Sequence, residues 1–216
     1  MTKEIKREIT DILTRISGSY SFGIVFQDWV QCLAIAISNG CEPTHSSLWK
    51  KREEQYLETI NKYSKKQRME MQRASALLTE LMEMDFCDAL GEIYMMADQG
   101  NQRTGQFFTP YHLSKLIAEI RFQDEIEEKV IMNEPSCGGG GMIIATADVM
   151  HSRGYNYQRI LEVIAQDIDW RSVYMTYIQL SLYGIRATVI QGDTLLQKTP
   201  DPEQVFITPM KRGVLL

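Results

Sequence analysis

The chain has 216 residues, of which 44% are hydrophobic and 24% charged, and its formal net charge is -5. This composition is typical of a soluble globular protein with a real core, and the acidic balance argues against a stand-alone nucleic-acid binder. No apolar run reaches the ~20 residues of a membrane span, and the charged N-terminus has no signal-peptide core. The four scattered cysteines predict reduced thiols, so a cytoplasmic protein without membrane association is expected.

Residues 1–100 are predicted to form an α-helical N-terminal domain. Ile5, Ile9 and Ile12 recur on one face of the first segment, with the period of an amphipathic helix. A more apolar helical segment ends at Asn39-Gly40, a typical C-cap, and residues 47–84 carry long helical patterns with charges on the outer face.

A basic cluster lies within this helical part. Its members are Lys62, Lys65, Lys66, Arg68 and Arg73. Two interpretations stay open: a solvated helix face balanced by nearby glutamates, or a surface that contacts the DNA backbone.

Residues 101–216 alternate between strand-like and helical patterns. The strand candidates are residues 129–135, 160–169, 187–193 and 203–209, and the helical ones are 140–154 and 170–184. Such alternation predicts βαβ units and a parallel sheet with helices on its faces. The expected fold class is therefore α/β, a partial doubly wound sheet preceded by the helical domain.

A run of four glycines follows the first strand, within "NEPSCGGGGMIIA", Asn133 to Ala145. A glycine turn at this place lets a ligand approach the backbone and the free N–H groups of a helix N-terminus. The run has neither the GxGxxG spacing of a dinucleotide site nor the GK[ST] ending of a P-loop. A phosphate cradle is therefore disfavoured, and a purely structural turn remains an alternative.

Acidic residues end each of the first three strands. Asp167 and Asp169 close the second strand, Asp193 the third and Glu134 the first. A carboxylate there can accept hydrogen bonds from a ribose diol, from an adenine amino group or from an ammonium. Each acid alone is typical of a helix cap or a surface residue. Together around a glycine turn they indicate a cationic nucleoside, and S-adenosylmethionine (SAM) fits that description.

The order of several motifs resembles a known family. "GQFFTP" (105–110), "NEPSCGGGGM", "AQDID", "LYGI" and "GDTL" follow one another as in the modification subunits of type I restriction systems and related N6-adenine DNA methyltransferases. The resemblance covers roughly residues 75–209. It implies a SAM-dependent methyltransferase-like, Rossmann-type domain over residues 101–216, whose glycine turn passes under the methionine part of SAM.

The same resemblance implies the cofactor contacts. These are Phe107, Phe108, Thr109, Glu134, Pro135, Ser136, Gly138, Gly140, Met142, Asp167, Ile168 and Asp193. Asp167 would take the ribose hydroxyls and Asp193 the adenine, while Glu134 stands where the family usually has an aspartate. Trp170 either flanks the adenine or packs on its own helix.

The family's catalytic motif, Asn-Pro-Pro-aromatic after the fourth strand, is altered here. In the family the Asn and the first Pro accept hydrogen bonds from the adenine amino group, and the aromatic stacks on the flipped base. Aligned on Pro209, the Asn becomes Thr208, the second Pro becomes Met210 and the aromatic becomes Lys211. The resemblance thus implies Thr208 and Pro209 as a degenerate catalytic pair.

Three functions stay open. The chain is a non-catalytic relative that binds SAM and serves as a binding, regulatory or partner-dependent module, or an active minimal N6-adenine DNA methyltransferase, or a SAM-dependent enzyme with another substrate. DNA is an expected partner, directly or through a partner subunit, and a homodimer or hetero-oligomer is expected to cover the sheet edge left by missing later strands. The three histidines show no ligand spacing, so no metal site is predicted.

Overall fold

The structure is a computed structural model that describes residues 1–18, 20–98, 108–122, 128–196 and 199–214. The first helices are α1 (Thr2–Ser17), α2 (Phe22–Cys41), α3 (Ser47–Ile60), α4 (Lys65–Met84) and α5 (Ala89–Asp98). The later elements are α6 (Tyr111–Arg121), β1 (Val130–Glu134), α7 (Gly141–Ser152), α8 (Tyr157–Ile160), β2 (Leu161–Asp167), α9 (Trp170–Leu182), β3 (Arg186–Gln191), β4 (Val205–Ile207) and α10 (Pro209–Arg212).

The helical part forms because its apolar residues recur at helical spacing and its helix starts are capped. The Ser21 and Ser46 side chains accept hydrogen bonds from the first turns of α2 and α3, and Ser64 forms a capping box with Gln67 at the start of α4. Helix α1 packs on α4, and α2 packs on α9 of the sheet-containing part. One continuous set of buried apolar side chains therefore runs from α1 to the sheet.

The sheet has the strand order β1-β2-β3-β4. Strands β1, β2 and β3 are parallel, with Met132 opposite Val163 and Val163 opposite Ala187. Side chains along β2 alternate between buried and less buried positions, as the strand period requires. The parallel arrangement brings the carboxyl ends of the three strands to one edge of the sheet.

The fourth strand corrects the expectation of a fully parallel sheet. Strand β4 pairs with β3 in the antiparallel direction, with Thr188 opposite Ile207. A parallel neighbour needs a crossover connection, which is usually a helix. The described residues between β3 and β4 contain only the short 3-10 turn Pro202–Gln204, so the chain returns alongside β3 in the opposite direction.

Two apolar surfaces remain uncovered in the part of the chain that the structure describes. Strand β1 is at the edge of the sheet, and its Ile131 is 67% exposed. Four apolar side chains of α6 are also exposed: Leu113, Leu116, Ile117 and Ile120. No single described helix has the length and apolar character of a membrane span; α1 and α2 pass that test only as a pair, bent by 110°.

A buried guanidinium joins the helical part to the sheet edge. Arg52 of α3 is 2% exposed and donates hydrogen bonds to Ser38 Oγ (2.6 Å) and to the carbonyl oxygen of Val205 (2.7 Å). Its Cζ atom lies 4.2 Å from the centroid of the Phe206 ring, and Glu42 supplies a carboxylate at 3.8 Å. This contact fixes β4 against α3.

We predict that Arg52→Ala lowers the free energy of unfolding by about 3 kcal/mol, the scale for removing one partner of a buried ion pair. Urea denaturation followed by circular dichroism measures it. Lys51→Ala is the matched control, because Lys51 joins the same two regions through an exposed pair with Glu203, and we expect it to leave the midpoint unchanged. Equal effects of the two substitutions would contradict the role given to Arg52.

Candidate functional site

The glycine turn between β1 and α7 has a backbone that other residues adopt only with strain. Gly138 has φ 54° and Gly140 has φ 90°, both in the left-handed region. Gly140 is the N-cap of α7, and its N–H donates to the carbonyl oxygen of Cys137 (2.8 Å). The N–H of Cys137 donates to Gln166 (2.9 Å) and thereby ties the turn to β2.

Side chains from other segments of the protein lie close to these glycines. A Cβ on Gly138 would lie 3.1 Å from Cδ1 of Phe108, and one on Gly140 would lie 3.2 Å from Oγ1 of Thr176. A Cβ on Gly139 would lie 3.0 Å from Oδ1 of Asp88. Because the glycines have no side chains, three other segments can pack closely against the turn. A ligand could approach the turn for the same reason.

Asp88 and Gln179 form a buried network that sequence reasoning missed. Gln179 is fully buried and donates from Nε2 to Asp88 Oδ1 (2.8 Å) and to the carbonyl oxygen of Gly139 (2.6 Å), while its Oε1 accepts the N–H of Leu90 (3.1 Å). Asp88 Oδ1 also accepts the N–H of Gly91 (3.0 Å). The sequence gives only a weak signal for this network, because an aspartate just before a helix is typical of an ordinary N-cap.

A partly open cavity of about 170 Å³ adjoins the turn. Its walls are Asp88, Phe108, Thr109, Ser114, Glu134, Ser136, Cys137, Gly138, Gly139, Gly141 and Met142. Burial raises the pKa of the Glu134 carboxyl and of the Asp88 carboxyl. Two carboxyls line this cavity, and its described lining includes no lysine, arginine or histidine. Outside the lining, Lys6 acts on the Asp88 carboxyl and lowers its pKa, against the larger effect of burial.

The predicted ribose acceptor, Asp167, is 9% exposed at the carboxyl end of β2. Its Oδ2 accepts the N–H of Gly138 (2.9 Å) and its Oδ1 accepts the N–H of Asp169 (2.9 Å). Each carboxylate oxygen keeps a second lone pair for another donor. Ile168, which follows it, is 67% exposed and offers an apolar face beside this carboxylate.

The loop after β3 reaches across to the glycine turn. Thr194 Oγ1 donates to the carbonyl oxygen of Pro135 (2.7 Å), and Asp193 Oδ1 accepts the N–H of Leu195 (2.9 Å). The side chains of Leu195 and Leu196 are 92% and 80% exposed. Asp193 therefore lies at the same edge of the sheet as the turn.

Most of the predicted cofactor residues come together in this way. Phe108, Thr109, Glu134, Ser136, Gly138 and Met142 line the cavity, Pro135 and Gly140 belong to the turn, and Asp167, Ile168 and Asp193 lie at the carboxyl edge of the sheet. Phe107 lies outside the described residues.

Thr208 and Pro209, expected as a degenerate catalytic pair, are not brought to the turn. Thr208 is 0% exposed; its Oγ1 accepts the N–H of Ala187 (2.9 Å) and donates to the carbonyl oxygen of Ile185 (2.7 Å). These partners lie at the amino end of β3, four residues or roughly 13 Å from its carboxyl end, and two strands separate β4 from β1. Because β4 runs antiparallel to β3, the structure places Thr208 and Pro209 apart from the predicted cofactor residues.

Trp170 packs on its own helix, one of the two interpretations open for it. Its ring stacks on Tyr174 with centroids 5.4 Å apart and meets Phe206 edge-on at 6.5 Å. This aromatic group belongs to the packing between α9 and β4.

Comparison with known proteins identifies similar chains. A family model described as N-6 DNA Methylase matches residues 85–209. A comparison with curated protein sequences gives no match.

Among solved structures, a putative class I S-adenosylmethionine-dependent methyltransferase from Listeria monocytogenes aligns with a TM-score of 0.50 at 13% identity, over 92% of this chain and 56% of its own. A type I restriction-modification methyltransferase subunit from Streptococcus thermophilus aligns with a TM-score of 0.48 at 16% identity, over 94% of this chain and 61% of its own. The present chain thus spans less than two thirds of either structure.

We predict that Gly140→Ala destabilises the protein more than Gly154→Ala. Both glycines have a left-handed backbone, φ 90° and φ 82°, which costs a non-glycine residue about 1–2 kcal/mol. Only at Gly140 would the new methyl also meet a neighbour, Thr176, whereas nothing lies within 4 Å at Gly154. Equal losses in the free energy of unfolding, measured by urea denaturation, would contradict the close packing described for the turn.

Proposed function

The chain belongs to the N-6 DNA methylase family, since the matching model spans residues 85–209 of its 216, and from this premise we propose that it binds SAM without methylating DNA by itself, as a binding, regulatory or partner-dependent module. The family resemblance noted in the sequence is confirmed. The fold is the Rossmann-type α/β fold of SAM-dependent methyltransferases, as the Listeria monocytogenes structure shares it.

The chemistry of the site supports SAM as the ligand. The cavity, at about 170 Å³, is smaller than the ~300–1,000 Å³ of pockets that enclose drug-sized ligands, so it suits one end of an extended molecule. Glu134 would hold the ammonium, Asp167 the ribose hydroxyls, Ile168 a face of the adenine and Asp193 its amino group. SAM, when bound, supplies a methyl group activated by a sulfonium.

The position of Thr208 carries the proposal that methyl transfer is lost. An adenine N6 lone pair is delocalised into the ring and needs acceptors on its amino group to become nucleophilic. The Thr208 hydroxyl is 0% exposed, accepts the N–H of Ala187 and donates to the carbonyl oxygen of Ile185, so it is not accessible to a base. The six prolines include no adjacent pair, so these 216 residues contain no Asn-Pro-Pro motif elsewhere. The alternative, an active minimal N6-adenine methyltransferase, is favoured by family membership alone.

DNA contact remains part of the proposal and rests on the family. The basic cluster, in the turn before α4 and on α4 itself, gives it limited support, because Lys62 pairs with Asp28 at 3.4 Å and Arg73 pairs with Glu8. Lys65 and Lys66 are exposed.

A partner subunit is also proposed. The exposed stripe of α6, Leu113, Leu116, Ile117 and Ile120, and the edge strand β1 with its exposed Ile131 support a protein partner on that side.

We predict that Ile168→Ala weakens SAM binding about fivefold, because part of an apolar side chain would no longer be buried by the adenine, at a cost of about 1 kcal/mol. Isothermal titration calorimetry measures the change. Ile131→Ala is the matched control, since Ile131 has the same exposure, 67%, and lies on β1 away from the site. Absence of SAM binding by the unmodified protein would refute the proposed function.

We predict no transfer of labelled methyl from SAM to adenine in duplex DNA by the isolated protein, because Thr208 cannot reach a base. Radiolabel incorporation into mixed-sequence DNA measures it, with an active N6-adenine DNA methyltransferase as the positive control. Incorporation that depends on the protein would favour the active enzyme and exclude the non-catalytic proposal.

A further inference from the structure

We propose that a groove between α2, α3 and α4 docks an amphipathic α-helix of a partner protein, whose apolar stripe fills the groove and whose carboxylates meet Lys65 and Arg68. The groove belongs to the helical part of the chain and has a volume of about 670 Å³. This inference goes beyond the proposed function and does not depend on SAM binding.

The groove has an apolar lining that is open to solvent at its rim. Its buried members include Trp29 and Cys32 of α2 and Met71 of α4. Leu57 of α3 and Met69 of α4 line it as well, and they are 46% and 60% exposed. Exposed apolar side chains gathered around a groove are typical of an interaction site, and flexible methionines adapt well to the apolar face of a docked helix.

The groove favours a helix over an extended strand. Its lining comes from three helices, apart from Asn61 at the C-cap of α3, so most backbone groups beside it bond within those helices. The occupant must therefore satisfy its own backbone, as an α-helix does. Along α4 the lining runs from Lys65 to Ser75, or about 15 Å, which accommodates the roughly 10 Å between anchors i and i+7 of a helix.

Charge at one end of the groove determines the polar chemistry of the occupant. Lys65 opens the first turn of α4, Arg68 follows one turn later, and both line the groove. Among the described residues neither pairs with a carboxylate, and Arg68 donates only to Asn61 Oδ1 (3.4 Å). A lysine in the first turn opposes the helix dipole, so Lys65 does not serve the stability of α4. The described lining includes no aspartate or glutamate, and this end of the groove therefore fits carboxylates.

Two carboxylates outside the lining act electrostatically on groove residues, and both have other partners. Asp28 pairs with Lys62 at 3.4 Å. Glu53 accepts a hydrogen bond from Asn39 Nδ2 (3.1 Å). The two groove cations are therefore available to a partner protein.

Two other occupants fit the groove less well. In a second copy of this chain, α6 has an exposed apolar stripe but carries Lys115 and Arg121 with Glu119 as its acid, so it lacks the carboxylates that the groove cations fit. DNA offers phosphates to the cations, but it has no apolar face for the rest of the groove.

The test uses two fluorescein-labelled helical peptides with the same leucines at positions i, i+3, i+4 and i+7. One carries glutamates at its polar positions and the other carries lysines, and fluorescence anisotropy measures the affinity of each for the full chain. We expect the glutamate peptide to bind about tenfold more tightly, the scale of two partly exposed charge pairs. The double variant Lys65→Glu and Arg68→Glu should reverse that preference.

The matched control for charge is the double variant Lys50→Glu and Lys66→Glu. It changes the net charge equally, at exposed lysines of α3 and α4 that do not line the groove, and we expect it to keep the preference for the glutamate peptide. Circular dichroism checks that both double variants stay folded.

The apolar contact is tested separately. Leu57→Ala should weaken the binding of both peptides about fivefold, because part of the apolar stripe loses its contact. Ile24→Ala is the matched control, since Ile24 has a similar exposure, 48%, and lies on α2 outside the lining. We expect this control to leave both affinities unchanged.

Four results would overturn the inference: no binding of the glutamate peptide, equal affinity for the two peptides, a preference that the groove variants leave unchanged, or displacement of the glutamate peptide by an equimolar DNA duplex. A dimer in sedimentation equilibrium that Leu57→Ala dissociates and Ile24→Ala does not would assign the groove to a second copy and overturn it too. Failure of SAM to bind would refute the proposed function and leave this inference intact.

Discussion

The buried amide of Gln179 is the interaction on which the site depends. A side-chain amide buried in a protein must satisfy both its donors and its acceptor, and Gln179 does so with three separate groups: the Asp88 carboxylate, the Leu90 N–H and the Gly139 carbonyl. It thereby holds the start of α5 against the glycine turn. Loss of the amide would leave buried polar groups unpaired in two segments at once.

Much of the α/β part follows from local patterns in the sequence. The apolar runs before the glycines and before Asp167 are strands, and the glycine run does start a helix. The direction of β4 does not follow from its own residues. A three-residue strand has the same apolar pattern whether it pairs in the parallel or the antiparallel direction. Arg52, from a helix far away in sequence, bonds to that strand, and periodicity carries no information on such contacts.

The site was predictable where a residue type has an unusual backbone or a position at a strand end, as with Gly138, Gly140 and Asp167. It was not predictable where the chemistry arises from burial alone. Asp88 reads as a helix cap and Ser114 as one polar residue of an amphipathic helix. Only the packing of α5 and α6 around the turn reveals that one is a buried carboxyl and the other an unpaired hydroxyl.

The bond between Gln179 and Asp88 joins residues 91 positions apart in the chain. The entropy of closing such a long loop must be overcome before the contact contributes any stability. In kinetic terms, we infer that the glycine turn reaches its final shape late in folding, after α9 has docked. During synthesis from the N-terminus, the residues of α1 to α5 are made before those of the glycine turn, and therefore before a ligand could help to organise this turn.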